Sequence, residues 1–284
     1  MTNSIEIQGL VKGYSSFALG PVDLTVPAGA IVGLIGENGA GKTTLLKCLL
    51  GIARPDEGTV RILDRDSRGR RAREDVGVVL DECLFHDTLL AKDVDKILSK
   101  VYRQWDKALF DGLLQRLKLP TNRYLKEFSR GMKMKLSLAA ALAHHPSVLV
   151  LDEATSGLDP VVRDELLDEL MAFSAQGEHS ILMSSHITTD LEKAADYIAY
   201  LHQGQLLFFA EKDRLLEDHG RLVCTRADLT GVDPAYVLAV RQGEYSTEAL
   251  IRDKEAFRRK YPRLTVDPVT LDEIMVFLER GTRS

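Results

Sequence analysis

The stretch Gly36-Glu37-Asn38-Gly39-Ala40-Gly41-Lys42-Thr43-Thr44 sets the fold of this chain. It follows the apolar run 30–35 and leads into the leucine-rich run 45–50, which predicts a strand, a glycine-rich loop and a helix in succession. Glycines free the backbone to turn successive N–H groups into one concavity, and the helix N-terminus adds a partial positive charge. Lys42 supplies a mobile cation for the outer phosphates, and Thr43 a hydroxyl for Mg²⁺. A glycine turn in front of a helix is the alternative, but the complete pattern favours binding of a nucleoside triphosphate.

The composition of the 284-residue chain is typical of a globular protein, with 45% hydrophobic and 28% charged residues. A formal net charge of −5 gives no general attraction to nucleic acid, so no nucleic-acid partner is expected. No apolar run approaches the roughly 20 residues of a membrane-spanning helix, and the N-terminus lacks the features of a signal peptide. Cys48, Cys83 and Cys224 are far apart and form no metal-binding spacing, which favours reduced thiols in the cytosol.

Strand and helix patterns alternate on both sides of the glycine loop. Period-two alternation and short apolar runs predict strands at 5–7, 22–26, 30–35, 58–63, 76–80, 147–153 and 180–186, and a strand pair within 195–209. Helical spacing predicts helices at 91–98, 106–117, 130–143 and 160–173, with Ser129 as N-cap of the third and Pro160 in the first turn of the fourth. The charged stretch 64–75 is either a solvated loop or the start of a helix. Residues 82–146 therefore form a helical insertion in an α/β core.

The pattern weakens beyond residue 211. We expect helices at 211–219, 246–261 and 270–280, and short strands at 221–224 and 236–240. Residues 220–284 are accordingly predicted to form a small appended α+β region, which either regulates, dimerises or covers an edge of the protein.

Two carboxylates and a histidine follow buried strands downstream of the loop. Asp152 and Glu153 end one strand, and His186 ends another. Asp152 can hold Mg²⁺ through water, while Glu153, aimed differently by the alternation along the strand, can act as general base on the attacking water. His186 can contact the γ-phosphate or the same water. Taken singly, such residues often cap a turn or serve the structure, but their position after a phosphate-binding loop favours catalysis.

Together, these ordered motifs resemble the ATP-binding subunits of ABC transporters over roughly residues 5–210. The matching segments are the Walker A loop at 36–44, the signature segment Phe128-Ser129-Arg130-Gly131-Met132, the Walker B strand at 148–153, the D-loop Ser156-Gly157-Leu158-Asp159, the switch histidine His186 and, at the position of the adenine-stacking aromatic, Tyr14. Taken alone, Tyr14 could equally be a packed side chain.

The resemblance implies a P-loop NTPase (RecA-like) α/β core with an N-terminal antiparallel β subdomain, an inserted helical subdomain and a small C-terminal α+β appendage. Residues 1–219 are expected to form the ATP-binding domain, with its helical subdomain at about 82–146, and residues 220–284 the appendage. ATP and Mg²⁺ are the expected ligands. The resemblance implies that the nucleotide is contacted by Tyr14, Gly36, Asn38, Gly39, Ala40, Gly41, Lys42, Thr43, Thr44, Ser129, Gly131 and Asp159. It implies metal contacts by Thr43, Asp152 and Asp81. It implies catalytic roles for Glu153 and His186.

Two motifs depart from the family pattern. The signature is L-S-G-G-Q in the family; this chain keeps Ser129 and Gly131, but Arg130 replaces the first glycine and Met132 the glutamine. In the family this segment reaches across a dimer to the γ-phosphate held by the partner's Walker A loop. Arg130 could add a cation there or point to solvent. The family's Q-loop glutamine is Asp81 here, a shorter group that only accepts hydrogen bonds but can still bind Mg²⁺.

Both departures are similar to those of the subfamily that pairs with ABC-2-type permeases, and within it to Gram-positive peptide exporters such as those for phenol-soluble modulins. This resemblance implies two partners: a second copy of the chain or a paralogous ATPase subunit, and a multi-span membrane permease. The chain would then lie peripherally on the cytoplasmic face of the cell membrane and power the export of peptides or drugs.

Other classes of ABC protein fit the sequence less well. Soluble ABC-type ATPases that act on ribosomes usually join two cassettes in one chain, and DNA-repair members carry long coiled-coil insertions. This sequence has one cassette and no such insertion. A non-catalytic regulatory cassette would be expected to lose Lys42 or Glu153, and both are present. A soluble ATPase that acts on ribosomes or nucleic acid without a permease is the alternative function.

Overall fold

The computed structural model describes residues 3–175, 177, 179–243 and 246–283, and the chain divides into two compact units, 1–209 and 210–284. Across these described residues, no helix is both long enough and apolar enough to cross a lipid bilayer.

The first unit alternates strands and helices as the sequence predicts. Its strands are β1 Asn3–Gly13, β2 Ala18–Pro27, β3 Ile31–Ile35, β4 Glu57–Ile62, β5 Arg65–Asp66, β6 Val76–Val79, β7 Val148–Asp152, β8 Ser180–Ser184, β9 Tyr197–His202 and β10 Gln205–Glu211, the last of which ends just beyond the division. Its helices are α1 Lys42–Leu49, α2 Arg70–Glu74, α3 Ala91–Leu98, α4 Lys107–Arg116, α5 Arg130–Leu142, α6 Pro160–Ser174 and α7 Thr188–Ala194, with a 3-10 turn at Leu125–Glu127.

A mostly parallel sheet forms the centre of the first unit, with strand order β10-β9-β3-β8-β7-β6. Strands β9, β3, β8, β7 and β6 pair in parallel, and every residue of β3, β7 and β8 is buried. Such strands are hydrophobic on both faces because helices or another layer cover each face. Parallel pairing brings the carboxyl ends of β3, β7 and β8 to one edge of the sheet, where the loops that follow these strands meet.

An antiparallel sheet with strand order β2-β1-β4-β5 forms the second layer of this unit. Buried residues alternate along β2, so that one face of the sheet is apolar. That face shares a continuous core with β3, β7, β8 and with Leu45, Leu46 and Leu49 of α1. The charged stretch 64–75, left open between loop and helix, contains β5 and α2.

The helical insertion predicted at 82–146 is confirmed by α3, α4 and α5. Phe110, Leu113 and Leu114 of α4 are fully or almost fully buried, and α4 packs against α5. Helix α5 is the most deeply buried of the three, since its residues from Met134 to Leu142 are all buried. It therefore anchors the insertion to the central sheet, where it contacts β6.

The second unit is an antiparallel sheet with helices. Its elements are α8 Lys212–Asp218, β11 Gly220–Cys224, α9 Arg226–Thr230, a 3-10 turn at Pro234–Tyr236, β12 Val237–Gln242, β13 Thr247–Ile251, α10 Lys254–Lys260, β14 Val266–Asp267, α11 Leu271–Arg280 and β15 Thr282–Arg283. The strand order is β14-β11-β13-β12-β15. A separate core of buried apolar side chains, including Leu222, Ile251 and Phe257, holds the unit together. The α+β appendage is thus confirmed.

The helix predicted over 246–261 is wrong in its first half. Residues 247–251 form β13, which pairs with β11 on one side and β12 on the other. Asp253 then adopts a left-handed backbone conformation with φ 50°, and its side chain accepts a hydrogen bond from the N–H of Ala256 to begin α10. Pairing on both sides outweighs the helix propensity of this segment, a tertiary effect that its sequence alone does not contain.

The division between the units lies at residues 209/210, whereas the sequence places the boundary at 219/220. Helix α8 accounts for the difference. Lys254 Nζ of α10 donates to the carbonyl oxygen of Leu216 in α8 at 3.5 Å, and the two helices pack together within the second unit.

Two neighbouring residues on β11 test which side chains of this strand point into the core of the second unit. Leu222 is fully buried, whereas the next side chain, Val223, is 46% exposed. We expect Leu222→Ala to lower the free energy of unfolding by about 2–5 kcal/mol because it leaves a cavity, and Val223→Ala to lower it by less than about 1 kcal/mol. Urea denaturation measures both values. Equal effects of the two substitutions would contradict the assigned facing of the strand.

Candidate functional site

The glycine-rich loop connects β3 to α1 and leaves the N-terminus of α1 open. Gly41 is the N-cap residue of α1 and, lacking a side chain, gives no capping hydrogen bond. The first N–H groups of a helix have no partner within the helix, and here the cap leaves them free for a ligand. The loop itself is closed by a hydrogen bond from the N–H of Ala40 to the carbonyl oxygen of Glu37 at 3.1 Å.

Two glycines show that the loop is shaped around open space. Gly39 and Gly41 have φ angles of 86° and 107°, in the region that side chains disfavour. A Cβ atom on Gly39 would meet no protein atom within 4 Å, so this part of the loop faces a cleft. A Cβ atom on Gly41 would lie 2.8 Å from Cζ of Phe17, so the Phe17 ring packs closely against the loop. The loop thus presents bare backbone to a space that a phosphate group fits.

Lys42 holds the centre of the site although its side chain is only 6% exposed. Its Nζ donates to the carbonyl oxygens of Gly36 at 2.7 Å and Glu37 at 3.3 Å, and forms an ion pair with Oε1 of Glu153 at 3.3 Å. A buried ammonium group needs such acceptors, because desolvation of a charge is costly. The ion pair ties the loop after β3 to the residue that follows β7.

The two carboxylates after β7 have different partners. Asp152 is buried, and its Oδ1 accepts a hydrogen bond from Ser184 Oγ at 2.6 Å. Oε2 of Glu153 lies 2.5 Å from Nδ1 of His186 and also accepts from the N–H of His186 at 3.3 Å. The backbone of Glu153 is left-handed, with φ 51°, and its N–H donates to Ser184 Oγ at 3.0 Å. Glu153 therefore bridges Lys42 and His186, while Asp152 stays beneath them.

A cleft of about 550 Å³ brings together most of the residues predicted for the site. Its lining includes Asn38, Gly39, Gly41, Lys42, Thr43, Thr44, Asp81, Glu153 and His186. It also includes Phe17, Glu37, Arg130 and Ser156, which the sequence did not assign to nucleotide contact. Gly36, Ala40 and Asp152 are buried beside the cleft rather than exposed in it. The cleft lies at the carboxyl edge of the central sheet, where ligands of such sheets bind.

The aromatic side chain that lines the cleft is Phe17, not Tyr14. Tyr14 is 52% exposed, with Lys12 Nζ 5.6 Å from the centre of its ring, and its N–H donates to the carbonyl oxygen of Phe17 at 2.7 Å. Both residues thus belong to one turn between β1 and β2, beside the cleft. A second aromatic three residues after Tyr14 was the signal in the sequence, but spacing alone does not tell which ring faces the loop.

The remaining predicted residues lie outside the lining of the cleft. Ser129 is exposed, and its Oγ caps α5 by accepting from the N–H of Met132 at 3.2 Å. Gly131 is buried, and a Cβ atom on it would lie 2.9 Å from Cγ1 of Val162 in α6. Asp159 is exposed and caps α6, with Oδ1 accepting from the N–H of Val162 at 3.1 Å. Each has a structural role in its own chain, and the signature glycine permits the close approach of α5 and α6.

An ion pair between a buried carboxylate and a partly exposed arginine supports the segments that carry Glu153 and His186. Asp190, on α7 just after His186, is 2% exposed, and its Oδ1 lies 3.3 Å from Nε of Arg163 on α6. Burial raises the pKa of Asp190, and the nearby charge of Arg163 opposes this rise. Thr155 follows Glu153 closely in the chain and is itself buried. The pair therefore fixes α6 and α7 around the loop that follows β7.

Comparison with known proteins places the chain beside one family. The sequence profile described as "ABC transporter" matches residues 19–156. The lantibiotic transport ATP-binding protein SrtF of Streptococcus pyogenes is 33% identical over 212 residues, which cover 74% of this chain and 91% of SrtF. The ABC transporter ATP-binding protein YtrB of Bacillus subtilis (strain 168) is 28% identical over 289 residues and matches 98% of this chain and 99% of its own.

The fold gives the same result. A solved structure titled as an ATP binding subunit of an ABC transporter superposes with a TM-score of 0.69 at 27% identity, covering 76% of this chain and 92% of that chain.

Removal of Arg163 tests its ion pair with the buried Asp190. We expect Arg163→Ala to lower the free energy of unfolding by about 2–3 kcal/mol, because it leaves the Asp190 carboxylate buried without its cation. Adding Asp190→Asn to that variant should recover much of the loss, since a neutral amide needs no counter-charge. Urea denaturation at neutral pH measures the cycle. As a control, Arg65→Ala, which breaks a surface pair with Asp75, should cost less than about 1 kcal/mol. Strictly additive effects of the Arg163 and Asp190 substitutions would contradict the pairing.

Proposed function

The chain belongs to the ABC transporter ATP-binding subunits, and on that premise we propose that it hydrolyses MgATP at a site shared by two subunits and powers export through a separate membrane permease. The observation that carries the proposal is the contact of Glu153 with both Lys42 and His186 at the mouth of an open phosphate-binding loop.

In this proposal, Glu153 acts as the general base. When the phosphates of ATP occupy the loop, Lys42 gains new anions to bind, and the carboxylate of Glu153 is released toward water. Water then attacks the γ-phosphorus: its oxygen forms the new P–O bond, the bond to the β–γ bridging oxygen breaks, and ADP departs. Glu153 takes the proton from the water, while His186, hydrogen-bonded to Oε2, keeps the carboxylate oriented.

The donor set fits a Mg²⁺ ion that arrives with the nucleotide. Thr43 and Asp81 line the cleft, and Asp152 lies beneath it with one oxygen hydrogen-bonded to Ser184. In the part of the chain that the structure describes, no group of three or more His, Cys, Asp or Glu side chains could hold a metal by itself. Mg²⁺ in such sites keeps several waters and takes phosphate oxygens as ligands, and it neutralises charge on the phosphates. Thr43, Asp81 and Asp152 are the residues we assign to it.

A second subunit supplies the rest of the site in this proposal. Ser129, Gly131 and Asp159 do not line the cleft of their own chain, although they match family motifs that contact nucleotide. Ser129 and Asp159 are exposed, each at the N-terminus of a helix. A second copy of this chain, or a paralogous ATPase subunit, would bring its Ser129 and α5 N-terminus to the phosphates, closing the cleft from the other side.

An apolar groove beside the helical subdomain is the surface we assign to the permease. The groove has a volume of about 220 Å³, and its apolar lining comprises Val78, Leu80, Leu84, Phe85, Leu98, Tyr102, Ala140 and Ala141. Leu84 is 78% exposed, which is unusual for a large aliphatic side chain and marks a surface that another chain covers. Leu84 lies three residues after Asp81 in the chain. Movement at the nucleotide site would therefore displace an apolar permease helix that binds in the groove. The chain would then lie peripherally on the cytoplasmic face of the membrane.

The transported molecule is proposed from the relatives. The name of SrtF assigns that protein to transport of a lantibiotic, a peptide antibiotic. We propose a peptide as the substrate class here, exported through an ABC-2-type permease.

Replacement of the proposed base tests the reaction. Glu153→Gln should retain ATP binding and accumulate the ATP-bound dimer, but lower phosphate release by about 100-fold or more because the amide cannot take the proton. Phosphate release and light scattering with and without ATP measure these effects. Glu57→Gln, at an exposed position on β4, is the matched control and should hydrolyse ATP at the parent rate. A near-normal rate for Glu153→Gln would show that Glu153 is not the base.

Capture of the chain from mildly solubilised native membranes tests the partner. A multi-span permease should co-purify with the parent, and Leu84→Asp should reduce its recovery by roughly tenfold because a charge is unfavourable in the buried centre of an interface. Ile52→Asp, at a 65% exposed position outside the groove, is the control and should retain the permease. Recovery only with ribosomes or nucleic acid would overturn the transporter proposal in favour of a soluble ATPase.

A further inference from the structure

Arg130 lies in the nucleotide cleft of its own chain. It is the first residue of α5 and lines the same cleft as Lys42, Thr43 and Glu153. Its Nη2 lies 3.4 Å from the carbonyl oxygen of Asp81, and a Cβ atom on Gly157 would be 3.5 Å from its Cζ. The guanidinium group therefore lies between the segment around Asp81 and the loop around Gly157.

The charge of Arg130 is not balanced by an acid. Among the ion pairs of residues 3–175, 177, 179–243 and 246–283, none joins Arg130 to a carboxylate, and its one acceptor is the distant carbonyl of Asp81. By contrast, Lys133, three residues further along α5, pairs with Asp87 at 2.6 Å. Arg130 thus offers a fork of free N–H donors to a ligand in the cleft.

The other charges in the cleft indicate a role for the Arg130 cation. Glu37, Asp81 and Glu153 place three carboxylates in the lining. Of the lysines and arginines in the described part of the chain, those that line the cleft are Lys42 and Arg130. Lys42 already shares its charge with Glu153. A nucleoside triphosphate is strongly anionic, so a second side-chain cation in the lining offsets part of the repulsion from the carboxylates.

We propose that Arg130 binds the terminal phosphate of the nucleotide held by its own chain, before a second subunit closes the site. The proposal rests on the ATP site proposed above. The planar guanidinium forms two parallel hydrogen bonds to phosphate oxygens, which an ammonium group cannot do in the same geometry. Arg130 thereby distinguishes ATP from ADP within a single subunit. Its contacts with the segments of Asp81 and Gly157 connect the presence of the terminal phosphate to both loops.

Calorimetric titration of the purified full chain, at a dilution where light scattering shows single subunits, tests the proposal. The probes are ADP and the non-hydrolysable ATP analogue adenylyl imidodiphosphate, each with Mg²⁺. Arg130→Ala should weaken binding of the analogue by about fivefold to thirtyfold, and binding of ADP by less than about twofold. Arg130→Lys should recover part of the loss by restoring the charge without the fork. Raising the salt concentration should weaken analogue binding to the parent more than to Arg130→Ala.

Two further variants serve as controls for the titration. Arg123→Ala removes an exposed cation of the helical subdomain that does not line the cleft, and should bind both nucleotides as the parent does. Lys42→Ala removes the loop lysine and should weaken binding of both.

Three results would overturn the role of Arg130. The first is an affinity of single Arg130→Ala subunits for the ATP analogue that equals the affinity of the parent. If ATP turnover by the Arg130→Ala dimer also fell, the arginine would act only on the partner's nucleotide. Equal weakening of ADP and analogue would show a purely structural role. A parent chain that binds neither nucleotide would overturn the ATP site itself together with this proposal, whereas the first two results leave that site intact.

Discussion

The buried ammonium group of Lys42 is the charge around which the site is arranged. Its acceptors come from two loops that are far apart in sequence, the carbonyls of Gly36 and Glu37 on one side and the carboxylate of Glu153 on the other. They meet because β3, β8 and β7 run in parallel in adjacent positions of the central sheet. Glu153 is the carboxylate partner of Lys42. In the mechanism proposed above, a bound triphosphate would take the place of Glu153 beside Lys42, so the event that fills the loop would also free the proposed base.

The side chains of the site are held in place by burial of the strands that carry them, rather than by a dense set of hydrogen bonds. Every residue of β3, β7 and β8 is buried, and α1 lies in the same core as the antiparallel sheet. Side chains at the ends of these strands therefore have little freedom to move. Below the cleft, Asp152 and Ser184 link β7 to β8, and the Arg163–Asp190 pair holds α6 against α7. Precise placement of the few polar groups in the cleft follows from the rigid apolar layer beneath them.

Much of this architecture can be predicted from the sequence, because the signals are local and strong. The loop at 36–44, the strands that end at Asp152 and before His186, and the helical insertion each have a pattern within a short window. The strand at 247–251 does not, since its partners β11 and β12 lie on either side of it only in the folded unit. The same limit applies to Phe17 and Arg130. A turn decides which aromatic faces the loop, and the contacts with Asp81 and Gly157 decide where the guanidinium points.

The left-handed backbone of Glu153 has a consequence for how such a site can change over time. A non-glycine residue at φ 51° costs about 1 kcal/mol relative to glycine, and asparagine also tolerates this conformation better than glutamate. Replacement of Glu153 by glycine or asparagine would relieve this backbone cost, but it would also leave the buried ammonium group of Lys42 without its carboxylate partner. The ion pair with Lys42 and the contacts with His186 therefore offset the cost of the left-handed backbone at this position. The same contacts limit which side chains can replace glutamate here.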